Sequence, residues 1–349
     1  METPGIDPRE ALSAYDLGAI RQISPAGGTA GRTWKVTAAS GEYFLRLRGV
    51  RTSSEARLEF DHGLRAHLVA RRVPTVAARA ARGGQRWLRR PEGAYELYPF
   101  VAGRPFDPYR AEELAHAGRA LARFHQVAAT YLSPAAQPEP IAQYTTLGFS
   151  RATSDRMDDP YLQQENLLAV RGLAPTPREQ ALVDRCMARA AHLQRAYAGA
   201  AYAPLAGWVI HGDYTPANLL FSEEGQVQGI FDLDWAVPGA RCRDVADGLY
   251  FFAAKPRRID PADIWSLTAA AEFDPDRCRV FLRAYQEIAP LAALELDSIP
   301  PAFAGRWLSI RLEGMAKVSP KERFRFFSRD IEKPLEWLEA HWERLRLQF

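Results

Sequence analysis

The chain has 349 residues, which at about 150 residues per domain suggests two domains or lobes and excludes a single small module. Hydrophobic residues make up 47% and charged residues 25%, an ordinary globular composition that needs neither disorder nor a disulfide scaffold. Forty-five basic against 42 acidic residues leave a net charge of +3, too small for a nucleic-acid-coating surface, and the three widely spaced cysteines form neither a CxxC metal pair nor a paired framework.

The start of the sequence shows no basic, apolar leader pattern and no run of 18 apolar residues follows, so a cytoplasmic protein without a membrane partner is expected. Between Ala19 and Val50 a Gly-rich interruption, Ala26 to Gly31, accompanies two strand-like stretches, Arg32 to Ala38 and Glu42 to Arg48, which read as a twisted antiparallel ribbon. Tyr43, Leu45 and Leu47 alternate with Phe44, Arg46 and Arg48, so both arginines lie on one strand face. Ser53 and Ser54 before Glu55, with Leu58, Leu64 and Leu68, predict a helix that closes before Pro74. Gln85 to Arg89 and Tyr95 to Val101 predict two more strands, and Gly103-Arg104-Pro105 breaks the pattern. Residues 1–101 are therefore expected to form a small, mostly β lobe with a hinge near 96–103.

Beyond that break the pattern turns helical, with Leu114, Gly118, Leu121, Ala122 and His125 at helical spacing, so 102–349 is expected to be a larger, mostly α lobe. Ser133 to Gly172, rich in Pro and Asp, reads as an insertion or lid. The carboxylates Glu272, Asp274 and Asp276 read as helix-surface charge, and most C-terminal aromatics as core.

Chemistry concentrates in Trp208 to Phe221, which contains His211-Gly212-Asp213 and Asn218, and in the following Gly229-Ile230-Phe231-Asp232-Leu233-Asp234. Apolar strand, polar loop, apolar strand, turn and a further strand ending in carboxylates bring Asp213, Asn218 and Asp232 to neighbouring strand ends. Three oxygen-bearing side chains suit a hard cation such as Mg2+, which keeps positions open for phosphates. Phosphoryl transfer needs little more than a proton-accepting carboxylate, oxygen ligands for the metal and a cation for the remaining phosphates. The chain holds only two asparagines, Asn166 and Asn218, which makes a chance HGDxxxxN improbable.

On HGDxxxxN at His211 to Asn218 and the Asp-x-Asp element at Asp232 and Asp234, the sequence resembles the aminoglycoside phosphotransferase and choline kinase family, which includes type II homoserine kinases and a stress-response kinase. The resemblance implies an α+β, protein-kinase-like two-lobed fold and an ATP- and Mg2+-dependent transfer to a hydroxyl of a small acceptor such as an amino alcohol, a homoserine-like metabolite or an aminoglycoside. It also implies Asp213 as catalytic base, Asn218 and Asp232 as metal ligands, His211 bracing the loop, and Asp244 pairing within the large lobe. Asp234 stays open as a further candidate around the metal.

In the small lobe Gly27, Gly28 and Thr29 resemble the phosphate loop, and Glu96 and Tyr98 lie in a Tyr95 to Phe100 stretch resembling the adenine-binding hinge. No Lys occurs from Val36 to Ala254, so Arg46 stands where the family carries its phosphate-anchoring lysine, with Arg48 as the fallback and Asp61, or alternatively Glu59, as the carboxylate partner on the following helix. A Ser/Thr protein kinase and a nucleotide-binding pseudokinase are the alternatives. Thr215, Leu233-Asp234 after Asp232 and the lack of an Ala-Pro-Glu element depart from protein kinases.

Overall fold

The computed structural model describes residues 7–26, 32–49, 52–131, 160–197, 203–260 and 262–349. A short helix, α1 (Pro8–Leu12), is followed by the strands β1 (Ile20–Pro25), β2 (Thr33–Ala38) and β3 (Gly41–Arg48), an antiparallel meander. The long helix α2 (Glu55–Ala70) comes next, and then β4 (Leu88–Arg90) and β5 (Gly93–Pro99) complete a five-stranded sheet of order β1-β2-β3-β5-β4. The strand β1, whose burial does not alternate cleanly, extends the predicted ribbon. The predicted fourth and fifth strands are present with shifted ends: β5 ends at Pro99, two residues early.

Period-2 alternation gives the sheet two unlike faces. Leu45, Leu47, Tyr95 and Leu97 pack with Leu12, Tyr15 and Leu17 into an apolar core. Arg46, Arg48, Glu96 and Tyr98 lie on the other face, beneath α2. That helix buries Leu58, Leu64 and Leu68, as its stripe predicts, together with Asp61, His62 and Arg65.

The large lobe is mainly helical. In chain order it comprises α3 (Ala111–Ala129), α4 (Pro160–Leu173), α5 (Pro177–Ala196), the short strands β6 (Trp208–Ile210), β7 (Leu219–Phe221), β8 (Val227–Ile230) and β9 (Val237–Gly239), then α6 (Cys242–Phe251), α7 (Ile264–Leu267), α8 (Pro275–Gln286), α9 (Ala293–Met315), α10 (Arg323–Ser328) and α11 (Lys333–Arg346). This is the predicted α+β, two-lobed class. The stretch read as a lid is in part otherwise: residues 133–159 lie outside the described residues, but 160–172 fall in α4, which packs on α5 with Leu167 and Val170 buried. Those apolar positions carry a helical period that the neighbouring Pro and Asp residues obscured. Asp274 caps α8 by accepting from the Asp276 N–H at 2.8 Å, in keeping with surface charge rather than a binding site. No helix among the described residues is long and apolar enough to cross a membrane.

The helices α3 and α8 meet over Gly118, where a Cβ would stand 2.6 Å from the Phe281 carbonyl oxygen. Gly118→Ala should therefore destabilise by about 1–3 kcal/mol, through forced backbone separation. Gly172→Ala, in α4 with open space around it, should be neutral or stabilise by about 0.5–1 kcal/mol. Urea unfolding of both variants measures the contrast, and equal effects would contradict the tight α3–α8 contact.

Candidate active site

The strand β6 delivers the chain to His211, and β7 resumes immediately after Asn218. The strand β8 ends at Ile230, opposite Leu219 on β7, and the Phe231 N–H donates to the Asn218 carbonyl at 2.9 Å. Pairing of β6 with β9 closes the 231–236 loop beside the 211–218 loop. Asp213, Asn218 and Asp232 thus converge because two short strand pairs hold their loops side by side. Gly212 is required between them: its φ is +78°, and a Cβ would run into the Trp235 carbonyl.

Asp244 on α6 mounts the first loop. Fully buried, it accepts the His211 N–H at 2.6 Å, the Gly212 N–H at 2.9 Å and the His125 Nε2 contact at 2.9 Å. Burial alone would raise this carboxyl, yet His125 and the Gly212 N–H hold it below the usual carboxylate range. His211 spans both loops, accepting the Asp213 N–H at Nδ1 (3.3 Å) and donating from Nε2 to the Phe231 carbonyl (2.8 Å). The Asn218 amide donates to the Asp213 carbonyl at 2.8 Å and to Asp213 Oδ2 at 3.1 Å. With its NH2 end committed to Asp213, Asn218 offers Oδ1 to a cation.

The two carboxylates of the Asp-x-Asp element part company. Asp234 is 7% exposed and Asp232 is 39% exposed. Arg46 grips Asp234 with both ends of its fork, Nη1 to Oδ1 at 2.8 Å and Nη2 to Oδ2 at 2.7 Å, and touches Asp232 at 3.1 Å. Thr52 adds a hydrogen bond to Asp234 at 3.1 Å, and Arg57 on α2 donates to its backbone carbonyl at 2.9 Å. Burial would raise the Asp234 carboxyl, but Arg46 and Arg48 hold it below its usual range. For Asp232 the balance reverses: burial, with Asp234 and Asp213 close by, pushes it up despite Arg46. Asp234 is therefore a charge-satisfied tie between lobes, and Asp232 a carboxylate with negative charge to spare.

This donor set fits a divalent cation at Asn218 Oδ1 and Asp232. Among the described residues no group of three or more His, Cys, Asp or Glu converges on a metal position.

In the small lobe the expected pairing of Arg46 with Asp61 is corrected. Asp61 is bound by Arg48 at 2.6 Å and by Arg65 at 2.8 Å, whereas Arg46 turns to Asp232 and Asp234. Glu59 is exposed on α2 and is no partner to either. Spacing shows the shared strand face but not depth: Arg48 ends β3 directly under α2, while Arg46 sits two residues back, at the cleft. Burial would raise the Asp61 carboxyl, and Arg65 and Arg48 more than offset it. Glu96 and Tyr98 are also placed differently from an open adenine pocket. Glu96 is enclosed against His62 Nε2 (2.9 Å) and Arg48 (3.3 Å), and Tyr98 lies under the Arg65 guanidinium. Gly27, Gly28 and Thr29 lie outside the described residues, in the connection from β1 to β2.

Two further residues belong here. Arg306 on α9 reaches Asp213 Oδ1, and its Nε lies 3.2 Å from Asp247 on α6. The signal for Arg306 was a lone charge inside an apolar helical run, Ala302 to Leu308; for Asp247 it was its place one turn after Asp244.

Arg48 neutralises carboxylates from β5, α2 and the Asp234 loop with no exposure to water. Arg48→Met should leave these charges uncompensated and cost about 3–5 kcal/mol, whereas Arg46→Met, at a partly open position, should cost clearly less. Chemical denaturation at neutral pH separates the two, and equal losses would contradict this division.

Residues 21–291 match the family model described as the phosphotransferase enzyme family. A protein named homoserine kinase from Parvibaculum lavamentivorans is 24% identical over 338 residues, covering 94% of this chain and 93% of that one. Among solved structures, a microcompartment-associated aminopropanol kinase superimposes with a TM-score of 0.67 at 17% identity, covering 97% of this chain and 98% of that chain. An amicoumacin kinase in complex with AMP-PNP and Ca2+ has a TM-score of 0.61 at 15% identity, covering 94% and 96%. With a family match over most of its length and a protein-kinase-like fold, this chain belongs to the phosphotransferase enzyme family.

Proposed function

We propose that this protein transfers the γ-phosphoryl group of ATP, with Mg2+, to a hydroxyl of a small acceptor, with a homoserine-like amino acid or an amino alcohol as the favoured class. The observation that carries the reading is the convergence of Asp213, Asn218 and Asp232 at adjoining strand ends, with Asp213 bonded to Asn218. The acceptor class is supported by the near full-length match to a protein named homoserine kinase and by the likeness to an aminopropanol kinase.

In this reading Asp213 orients the acceptor hydroxyl and takes its proton as the oxygen bonds to the γ-phosphorus, while the bond from that phosphorus to the β–γ bridging oxygen breaks and ADP leaves. Asn218 Oδ1 and Asp232 would hold a divalent cation, whose charge would offset that of the triphosphate. Arg46, bound to Asp234 and Asp232 at the cleft, adds positive charge beside the non-transferred phosphates, while Arg48 stays sealed beneath α2 in its pair with Asp61. Gly27, Gly28 and Thr29 offer backbone N–H groups to phosphate. With Glu96 and Tyr98 enclosed, the adenine edge is read by the backbone at 100–103, where the chain leaves β5 and crosses to pair with Phe221 at Arg104.

ADP release with L-homoserine, 3-amino-1-propanol, choline, an aminoglycoside and a generic Ser/Thr protein substrate tests the reading. Turnover is expected with a small hydroxyl compound. Preference for the protein would favour the protein-kinase alternative, and nucleotide binding without turnover the pseudokinase. Asp213→Ala should lower kcat by about 10²- to 10⁴-fold with nucleotide affinity kept, because a base acts mainly in the transition state. Asp232→Ala should weaken nucleotide binding in the presence of Mg2+ far more than in EDTA. Calorimetry under both conditions decides it; equal losses would make Asp232 a brace of the loop.

A further inference from the structure

The Asp213 carboxylate is held at both oxygens from different parts of the large lobe. Asn218 donates to Oδ2 from within the loop, and Arg306 donates to Oδ1 from α9. Arg306 is itself anchored: its Nε faces Asp247 Oδ1 at 3.2 Å, and its guanidinium lies over the Phe251 ring at 5.3 Å. Asp247 and Phe251 both belong to α6, as does Asp244, which holds the backbone N–H groups of His211 and Gly212. Asp244 and Asp247 are one helical turn apart on a single face. The helix α6 therefore fixes the loop twice, at its backbone through Asp244 and at the Asp213 side chain through Asp247 and Arg306.

A carboxylate turns freely about its last C–C bond, and donors on both oxygens remove that freedom. Asp213 remains 27% exposed, so the restraint does not close it to the cleft. The guanidinium also bridges two carboxylates, where an ammonium is a point charge.

We propose that Arg306 is a positioning residue for phosphoryl transfer, holding the Asp213 carboxylate in the orientation that accepts the acceptor proton, with Asp247 as its anchor. The proposal rests on the reading of Asp213 as the base. Misplacement of a reacting group by about 1 Å costs up to about 10²-fold in rate. Arg306→Ala should therefore lower kcat by about 10- to 100-fold and leave the nucleotide dissociation constant and acceptor KM within about twofold. Arg306→Lys should recover part of the loss, since its ammonium reaches one carboxylate. Asp247→Asn should lower kcat less than Arg306→Ala does, and add little when combined with it.

The experiment is steady-state kinetics on these variants with L-homoserine and 3-amino-1-propanol, alongside thermal melts, nucleotide calorimetry, and crystal structures of the unaltered protein and Arg306→Gln. In the Arg306→Gln structure the Asp213 carboxylate should rotate or split into two orientations, a readout that needs no acceptor. A carboxylate unmoved in that variant would overturn the proposal, as would parental kcat in Arg306→Ala. A raised acceptor KM at unchanged kcat would overturn it in favour of acceptor binding, and parallel losses of melting temperature and nucleotide affinity in favour of a purely structural role. Asp213→Ala serves as the dividing control. Near-parental turnover there would refute the base itself, whereas an inactive Asp213→Ala beside a fully active Arg306→Ala would refute this inference alone.

Discussion

A guanidinium without access to water sits where the two lobes meet. Arg48 contacts Asp61 from α2, Glu96 from β5 and Asp234 from the large-lobe loop. Arg65 and Arg46 join it, so three guanidinium groups face three buried carboxylates. Such a network contributes less to stability than its contact list suggests, because desolvation offsets much of the Coulomb attraction. Its strength lies in geometry: the helix, the strand and the loop cannot shift without exposing a charge to an apolar surrounding. The relation of the small-lobe sheet to the Asp232 loop follows from that constraint.

The constraint also explains why neighbouring aspartates differ. Asp234 is consumed by Arg46, Arg48, Thr52 and the ties of its backbone to Arg57. Asp232, two residues earlier, adopts a left-handed backbone at φ 57° and ψ 57° and remains more open to the cleft. Aspartate tolerates that conformation better than most residues, and strained positions of this kind gather where a side chain must be aimed. One carboxylate ties the lobes, and its neighbour is left the more exposed of the two.

The helix α6 carries the other half of the site's contacts. The helix α6 lies in the large-lobe core, with Val245, Ala246 and Leu249 buried, and its polar face is turned to the loop through Asp244 and Asp247. Residues on regular helices are placed more reproducibly than residues on free loops. Asp213 itself stands on a loop, but its backbone and carboxylate are both referred to helical elements, α6 and α9.

The two lobes, the α2 stripe and the convergence of Asp213, Asn218 and Asp232 were legible in the sequence because each rests on local information: alternation in β3, helical spacing in α2, and a motif whose members are a few residues apart and bracketed by short strands. The helix α4 was harder to see, since prolines and aspartates flank its apolar period. Partner choice was beyond sequence. Arg46 and Arg48 share a face and a residue type, and only the placement of α2 over the end of β3 decides that Arg48 takes Asp61 while Arg46 takes Asp232 and Asp234. Glu96 and Tyr98 likewise read as a hinge until the same helix covers them. Arg306 lies 93 residues from Asp213, and no local pattern links the two. Sequence by itself determined which chemical groups the protein owns and which backbone elements carry them; the tertiary structure alone decided which charge meets which, because that depends on where whole helices come to rest, and a helix is placed by the apolar surface it buries rather than by the charged side chains it brings along.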